Sequence, residues 1–216
     1  MNRRMLMIAT ALCSFAIAPA ASTATTEGAA QLGPYELVKQ IAEQTLTELS
    51  AHRAEYQKDP AKIRRLVDKT MLPHFDTAYA AQLVLAKNWR TATPEQRKRF
   101  IEAFYQSMLQ NYGSALIDFT PDRLNILPFQ GDPKDNVATV RSTVRRDNGS
   151  LVQVNYSLRR TAAGWKAYDV QIEGVSYVKS FRTDFGAEIQ QKGLEAVIER
   201  LEAQVASGNA PKPTAS

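Results

Sequence analysis

The chain has 216 residues, with 27 Lys and Arg against 22 Asp and Glu, a formal net charge of +5, and one cysteine, Cys13. A lone cysteine leaves no room for a disulfide framework or a thiolate metal site. The mild excess of base implies little about partners beyond tolerance of anionic surfaces.

The first element is a leader. Arg3 and Arg4 precede an apolar run over residues 5–18, and Ala18-Pro19-Ala20 supplies a small-x-small cleavage pattern. This predicts a secretory signal peptide over residues 1–20, because the run is too short to span a membrane. Leu12 before Cys13, with apolar sequence continuing beyond, argues against a lipoprotein. The expected mature chain is cysteine-free, with 25 basic against 22 acidic residues and a net charge of +3. It is expected in the periplasm, where nucleic acid is not an expected partner. Residues 21–33 read as a flexible leader, 34–205 as one domain large enough to bury a core, and 206–216 as a disordered tail.

Helices come first. Pro34 suits a first turn, and Leu37, Val38, Ile41, Leu46 and Leu49 recur at helical spacing to about Tyr56. Asp59-Pro60 opens a second helix carrying Ile63, Leu66 and Val67, which Leu72-Pro73 breaks. Residues 75–89 read as a third, with Tyr79, Leu83 and Val84 on one stripe. In Thr93-Pro94-Glu95-Gln96 the threonine caps, the proline fits the first turn and Gln96 completes a capping box. The helix that follows presents Phe100, Phe104, Met108, Leu109, Tyr112 and Leu116 down to about Ile117.

After Pro121 the period changes to two. Leu124 and Ile126 suit a short edge strand, and residues 136–146 and 151–160 form a hairpin around Asp147-Asn148-Gly149-Ser150. A further strand covers residues 165–173. Its strict alternation puts Tyr168, Val170 and Ile172 on one face and Asp169, Gln171 and Glu173 on the other. Gly174 ends it, Ser176 caps a helix through Phe181, Phe185 and Ile189, and Gly193 separates that helix from a last amphipathic segment. Four helices, four strands and then helices predict an α+β domain, with helices against one face of a curved antiparallel sheet and room for a cavity between them.

Catalytic patterns are sparse. His52 and His74 lie far apart, and Pro-His74-Phe-Asp76 reads as a helix start rather than two metal ligands. No Gly-x-Ser-x-Gly or phosphate-cradling Gly loop occurs. A carboxylate in an apolar cavity could act as a general base, but alternation turns Asp169 and Glu173 away from the apolar set. The basic run Arg97-Lys98-Arg99 offers a surface for headgroups or acidic partner faces.

The sequence Ala80-Ala-Gln-Leu-Val-Leu-Ala-Lys-Asn-Trp-Arg-Thr-Ala-Thr-Pro-Glu-Gln-Arg97, with Trp165-Lys-Ala-Tyr-Asp-Val, Glu-Gly-Val-Ser and Phe-Arg-Thr-Asp-Phe185, resembles a known family. It is that of the phospholipid-binding component of the bacterial pathway maintaining outer-membrane lipid asymmetry, the MlaC or toluene-tolerance auxiliary family. Phe104, Tyr112 and Tyr156 fall where that family keeps aromatics; Ala86 departs from its usual glycine. The resemblance implies a nuclear-transport-factor-like cone, with a deep cavity for acyl chains and the headgroup outside. It also implies a non-enzymatic shuttle, taken here as a monomer, between an outer-membrane lipoprotein–porin complex and an inner-membrane ABC transporter complex. Phospholipid is the expected ligand, and no cofactor or metal is expected.

Together with face alternation, this assigns Val152, Val154, Tyr156, Val170, Ile172 and Val175 to a lipid-binding sheet wall. Tyr79, Leu83, Phe104, Met108 and Tyr112 are assigned to a helical wall. Two alternatives remain: a cone-fold enzyme using Asp169 or Asp184 as base, and a periplasmic interaction module with a filled core.

Overall fold

The computed structural model describes residues 32–112, 116, 120–132, 134–146 and 148–207. The expected signal peptide, most of the leader and the tail beyond Ser207 lie outside the described residues.

Helix α1 (Pro34–Ala51) buries Leu37, Val38, Leu46 and Leu49. The sequence predicts a single helix to Tyr56. Instead His52, at φ −125° and ψ 22°, interrupts it, and α2 (Arg53–Lys58) turns Tyr56 back onto α1. In α3 (Pro60–Thr70) Asp59 accepts from Ala61 N at 3.0 Å, with Pro60 in the first turn, as its sequence predicts. Helices α1–α3 share one apolar cluster, built on Leu49, Tyr56, Ile63 and Leu66.

A 3-10 turn at Leu72–His74 leads to the free edge of the sheet, where Asp76 N donates to Ala167 O at 2.7 Å. Asp76 then caps α4 (Thr77–Leu85) by accepting from Tyr79 N. The single helix expected over residues 75–89 is cut after Leu85, because Ala86 takes φ 49° and ψ −115°, and α5 (Asn88–Thr91) follows. Before α6 (Pro94–Tyr112) the predicted capping box is present in both directions: Thr93 N donates to Gln96 Oε1 and Gln96 N to Thr93 Oγ1, each at 3.1 Å.

Five antiparallel strands follow in the order β1-β2-β3-β4-β5: Leu124–Ile126, Val137–Arg145, Leu151–Thr161, Gly164–Ile172 and Val175–Ser176. The fifth, two residues long, was not predicted. It arises because Glu173 and Gly174 both take positive φ, 52° and 83°, which closes a tight hairpin after Ile172.

One face of the sheet is apolar: Ala138, Val140 and Val144 of β2 with Val152, Val154 and Leu158 of β3. Strand β4 does not follow the strict alternation predicted for it. Ser157 pairs with Asp169 but Leu158 pairs with Ala167, so Tyr168 is an extra residue in a β-bulge. The bulge puts Trp165 and Ala167 on the apolar face with Val170 and Ile172, and turns Tyr168 to the other. There its ring meets Tyr79 edge-on at 5.1 Å.

Helix α1 lies on the apolar face, while α4 and α7 (Tyr177–Lys192) start at the β4 edge and cover the opposite face beside it. Helices therefore lie on both faces at this end, where the sequence predicts one. Helices α4, α6, α7 and α8 (Leu194–Ser207) form their own core around Phe100, Phe104 and Phe185. Arg99 clasps α8 through Glu202, at 2.8 and 2.6 Å, and through Glu195.

An alanine at positive φ is strained, and glycine relieves that strain at some cost in unfolded-chain entropy. Ala86→Gly is expected to stabilise the fold by about 1 kcal/mol and raise Tm by about 2–4 °C in a thermal melt. An unchanged or lower Tm contradicts the strain.

Candidate functional site

The apolar sheet face divides into two unlike halves. In the first, Ala138, Val140, Leu158 and Trp165 pack against Leu37 and Val38 of α1, with Tyr35, Ile41 and Phe129 filling in. Val140 and Leu158 are fully buried, as in an ordinary close-packed core. In the second, Val144, Val152 and Val154 pack with Leu124, Tyr156, Val170 and Ile172. Every member of that cluster belongs to a strand; among the described residues no helical side chain joins it.

Tyr156 stands on the boundary, packed against both groups. Burial pushes its phenol above the usual value, offset in part by the Ser142 hydroxyl. Yet its side chain, like those of Val170 and Ile172, is only half-buried. Tyr156 thus sits deep in the fold and still keeps accessible surface. Ser142, the one polar inward residue of β2, is satisfied: its Oγ donates to Val154 O at 2.9 Å. Leu124 joins the strand patch to the α1–α3 cluster, which also takes in Leu109 and Leu116. Across Leu124, the patch thus has the α1–α3 cluster and the end of α6 beside it.

The predicted wall residues do not all meet here. Val152, Val154, Tyr156, Val170 and Ile172 come together. Val175 sits across from Ile172 on β5 and is 58% exposed, a rim position. Leu83, Phe104 and Met108 lie in the separate helical core, where Phe104 packs with Phe100, Phe181 and Phe185. Tyr79 is across the sheet, under the Arg159 guanidinium at 4.2 Å, and Arg159 in turn binds Asp76 at 2.7 Å. Tyr112 closes α6, and its side chain lies outside the described residues. Leu124 and Val144 were missed. The alternation of β2 could have found Val144, but Ser142 interrupts its apolar pattern.

Asp169, the candidate base, is 6% exposed on the face opposite this patch. It accepts from Ser176 Oγ at 2.6 Å and Val178 N at 3.0 Å, while Ser176 Oγ accepts from Lys179 N at 3.1 Å. Its two oxygens thus fasten β4 to the first turn of α7. Asp184 is exposed on α7, and Glu173 is an exposed partner of Arg146 at 3.5 Å. Among the described residues no cluster of His, Cys, Asp and Glu could hold a metal. A cleft of 220 Å³ between α3, α4 and α6 is lined by Asp68, Glu102 and Tyr105 and lies apart from the strand patch. Its Tyr105 hydroxyl donates to Asp68 at 2.6 Å; burial and then this bond push the phenol far up. The basic run is largely engaged: Arg99 holds α8, and Arg97 lies over Trp89 at 5.0 Å.

The family model described as MlaC protein matches residues 39–203. A toluene tolerance protein, ttg2D, of Pseudomonas putida is 29% identical over 189 residues, covering 84% of this chain and 87% of the relative. The intermembrane phospholipid transport system binding protein MlaC of Haemophilus influenzae is 23% identical over 181 residues, with 82% and 85% covered. Among solved structures, the phospholipid-binding protein of Ralstonia solanacearum in complex with a phospholipid superposes with a TM-score of 0.76. It is 25% identical and covers 82% of this chain and 99% of that one.

If Asp169 serves to fasten α7 to β4, Asp169→Asn and Ser176→Ala each lower stability, the former by about 1.5–3 kcal/mol. In denaturant titrations the double variant loses less than the sum, because both remove one shared bond. Full additivity contradicts the latch.

Proposed function

The chain belongs to the MlaC protein family, and on that premise we propose that it is a periplasmic phospholipid-binding protein holding acyl chains against the strand patch. In this reading it carries lipid between an outer-membrane lipoprotein–porin complex and an inner-membrane ABC transporter complex, as a monomer and with no covalent chemistry. The observation that carries it is the apolar half-face of the sheet, whose cluster is built from strands alone while Tyr156, Val170 and Ile172 keep open surface.

The energetics suit a carrier. Each methylene removed from water is worth about 0.8 kcal/mol, so two chains of roughly thirty methylenes gain on the order of 20 kcal/mol. Free lipid therefore crosses an aqueous compartment far too slowly. An apolar pocket gains almost nothing over a bilayer, since both are dry. Loading and unloading then run near equilibrium, and partners set direction. The walls need only be apolar and shaped, which Val152, Val154, Val170 and Ile172 provide. No observation favours the enzymatic alternative: the oxygens of Asp169 are committed to α7 and face away from the patch.

A cavity wall and a filled core respond differently to charge. Val154→Glu points a carboxylate into a space that water enters once lipid is gone, so the variant is expected to fold and to purify without lipid. Leu158→Glu forces the same charge into packed core and is expected to unfold the domain. Circular dichroism and mass analysis of extracted lipid read both. A folded Val154→Glu protein carrying full lipid contradicts the proposal.

A further inference from the structure

We infer that Tyr156 is the floor of the acyl cavity and sets the length of chain the protein accepts. The inference rests on the phospholipid-binding reading above and concerns where along the sheet the cavity stops.

The two halves of the apolar face meet at one residue. Toward the α1 side, Leu158 pairs with Ala138 and Ala167, and this layer is filled by Leu37 and Val38. Toward the hairpin end, Val154 and Val152 continue the same row of β3 with strand neighbours only. Tyr156 lies between them, flanked by Val140 and Val170, and touches both clusters. Its face of β3 extends roughly 13 Å from Tyr156 to Val152, near the hairpin end, at about 3.3 Å per residue. Beside Val154, across Ile172, Val175 on the edge strand is 58% exposed.

The side chain suits a stop. A tyrosine ring is rigid and has only two side-chain torsions, so it resists displacement better than a methionine, with three, would. Its neighbours Val140 and Leu158 are fully buried and leave it little room to retreat toward α1. A chain longer than the space above the ring must leave methylenes outside at the mouth. Relative to a bilayer, each such methylene costs the longer lipid about fourfold in occupancy.

The test incubates the purified protein with vesicles containing equal amounts of phosphatidylglycerols with saturated chains of fourteen, sixteen, eighteen and twenty carbons. The protein is re-isolated and its lipid identified by mass spectrometry. Tyr156→Ala is expected to raise the ratio of longest to shortest bound lipid by about tenfold or more over the unmodified protein. Tyr156→Trp, which fills the same place more fully, shifts the ratio the other way, so the inference stays testable if the smaller side chain prevents folding. Leu158→Val, beneath the floor, leaves the profile as it was. Unmodified protein that loads lipid, with the same profile in the folded Tyr156 variants, overturns the inference alone. Unmodified protein that takes up no lipid overturns the phospholipid-binding reading together with it.

Discussion

A sheet with one apolar face must hide that face from water, and here helix α1 packs directly on only half of it. Leu37 and Val38 of α1 close the layer built on Val140, Leu158 and Trp165. The layer of Val144, Val152, Val154, Val170 and Ile172 is left to strand neighbours. Val144, Val152 and Val154 are buried, and at about 25 cal/mol per Å² the apolar surface that Tyr156, Val170 and Ile172 keep is a cost when wet. A ligand with apolar chains removes that cost, and in the proposed reading completes the core that the chain leaves unfinished.

The arrangement depends on the helices not collapsing onto the open half. Two features hold them elsewhere. Helices α4, α6, α7 and α8 satisfy one another, with Phe100, Phe104, Phe181 and Phe185 interlocked and Arg99 and Arg200 clasping Glu202 and Glu188. They are then fastened to the sheet at the β4 bulge: Asp76 joins Ala167 and Arg159, Tyr79 lies between Arg159 and Tyr168, and Asp169 caps α7. A self-sufficient helical core pinned at one edge has no surplus apolar face with which to fill the sheet.

Much of this was legible because local chemistry decided it. The Thr93 capping box, the helix start at Asp59-Pro60, the Ser176 cap, the Asn148-Gly149 hairpin and the period change after Pro121 depend on residues a few positions apart, and all occur as read. The bulge was not legible, since alternation in Trp165-Lys-Ala-Tyr-Asp-Val is equally regular with or without an extra residue. That one residue moved Tyr168 to the face that Asp169 occupies. Nor could the helical stripe of Tyr79, Leu83, Phe104 and Met108 reveal which of two apolar clusters it serves, because periodicity identifies a buried face without naming its neighbour. Ala86 stands where the resemblance implies a glycine, and its positive φ is one that glycine takes without strain.

The central claim is that the half of the sheet face built from strands alone is a lipid site. Native mass spectrometry of the protein as purified from cells tests it most directly. The account predicts a mass increment of one phospholipid, released on denaturation and recoverable in the organic extract. Protein that flies at its bare mass, and still does so after incubation with phospholipid vesicles, would contradict it.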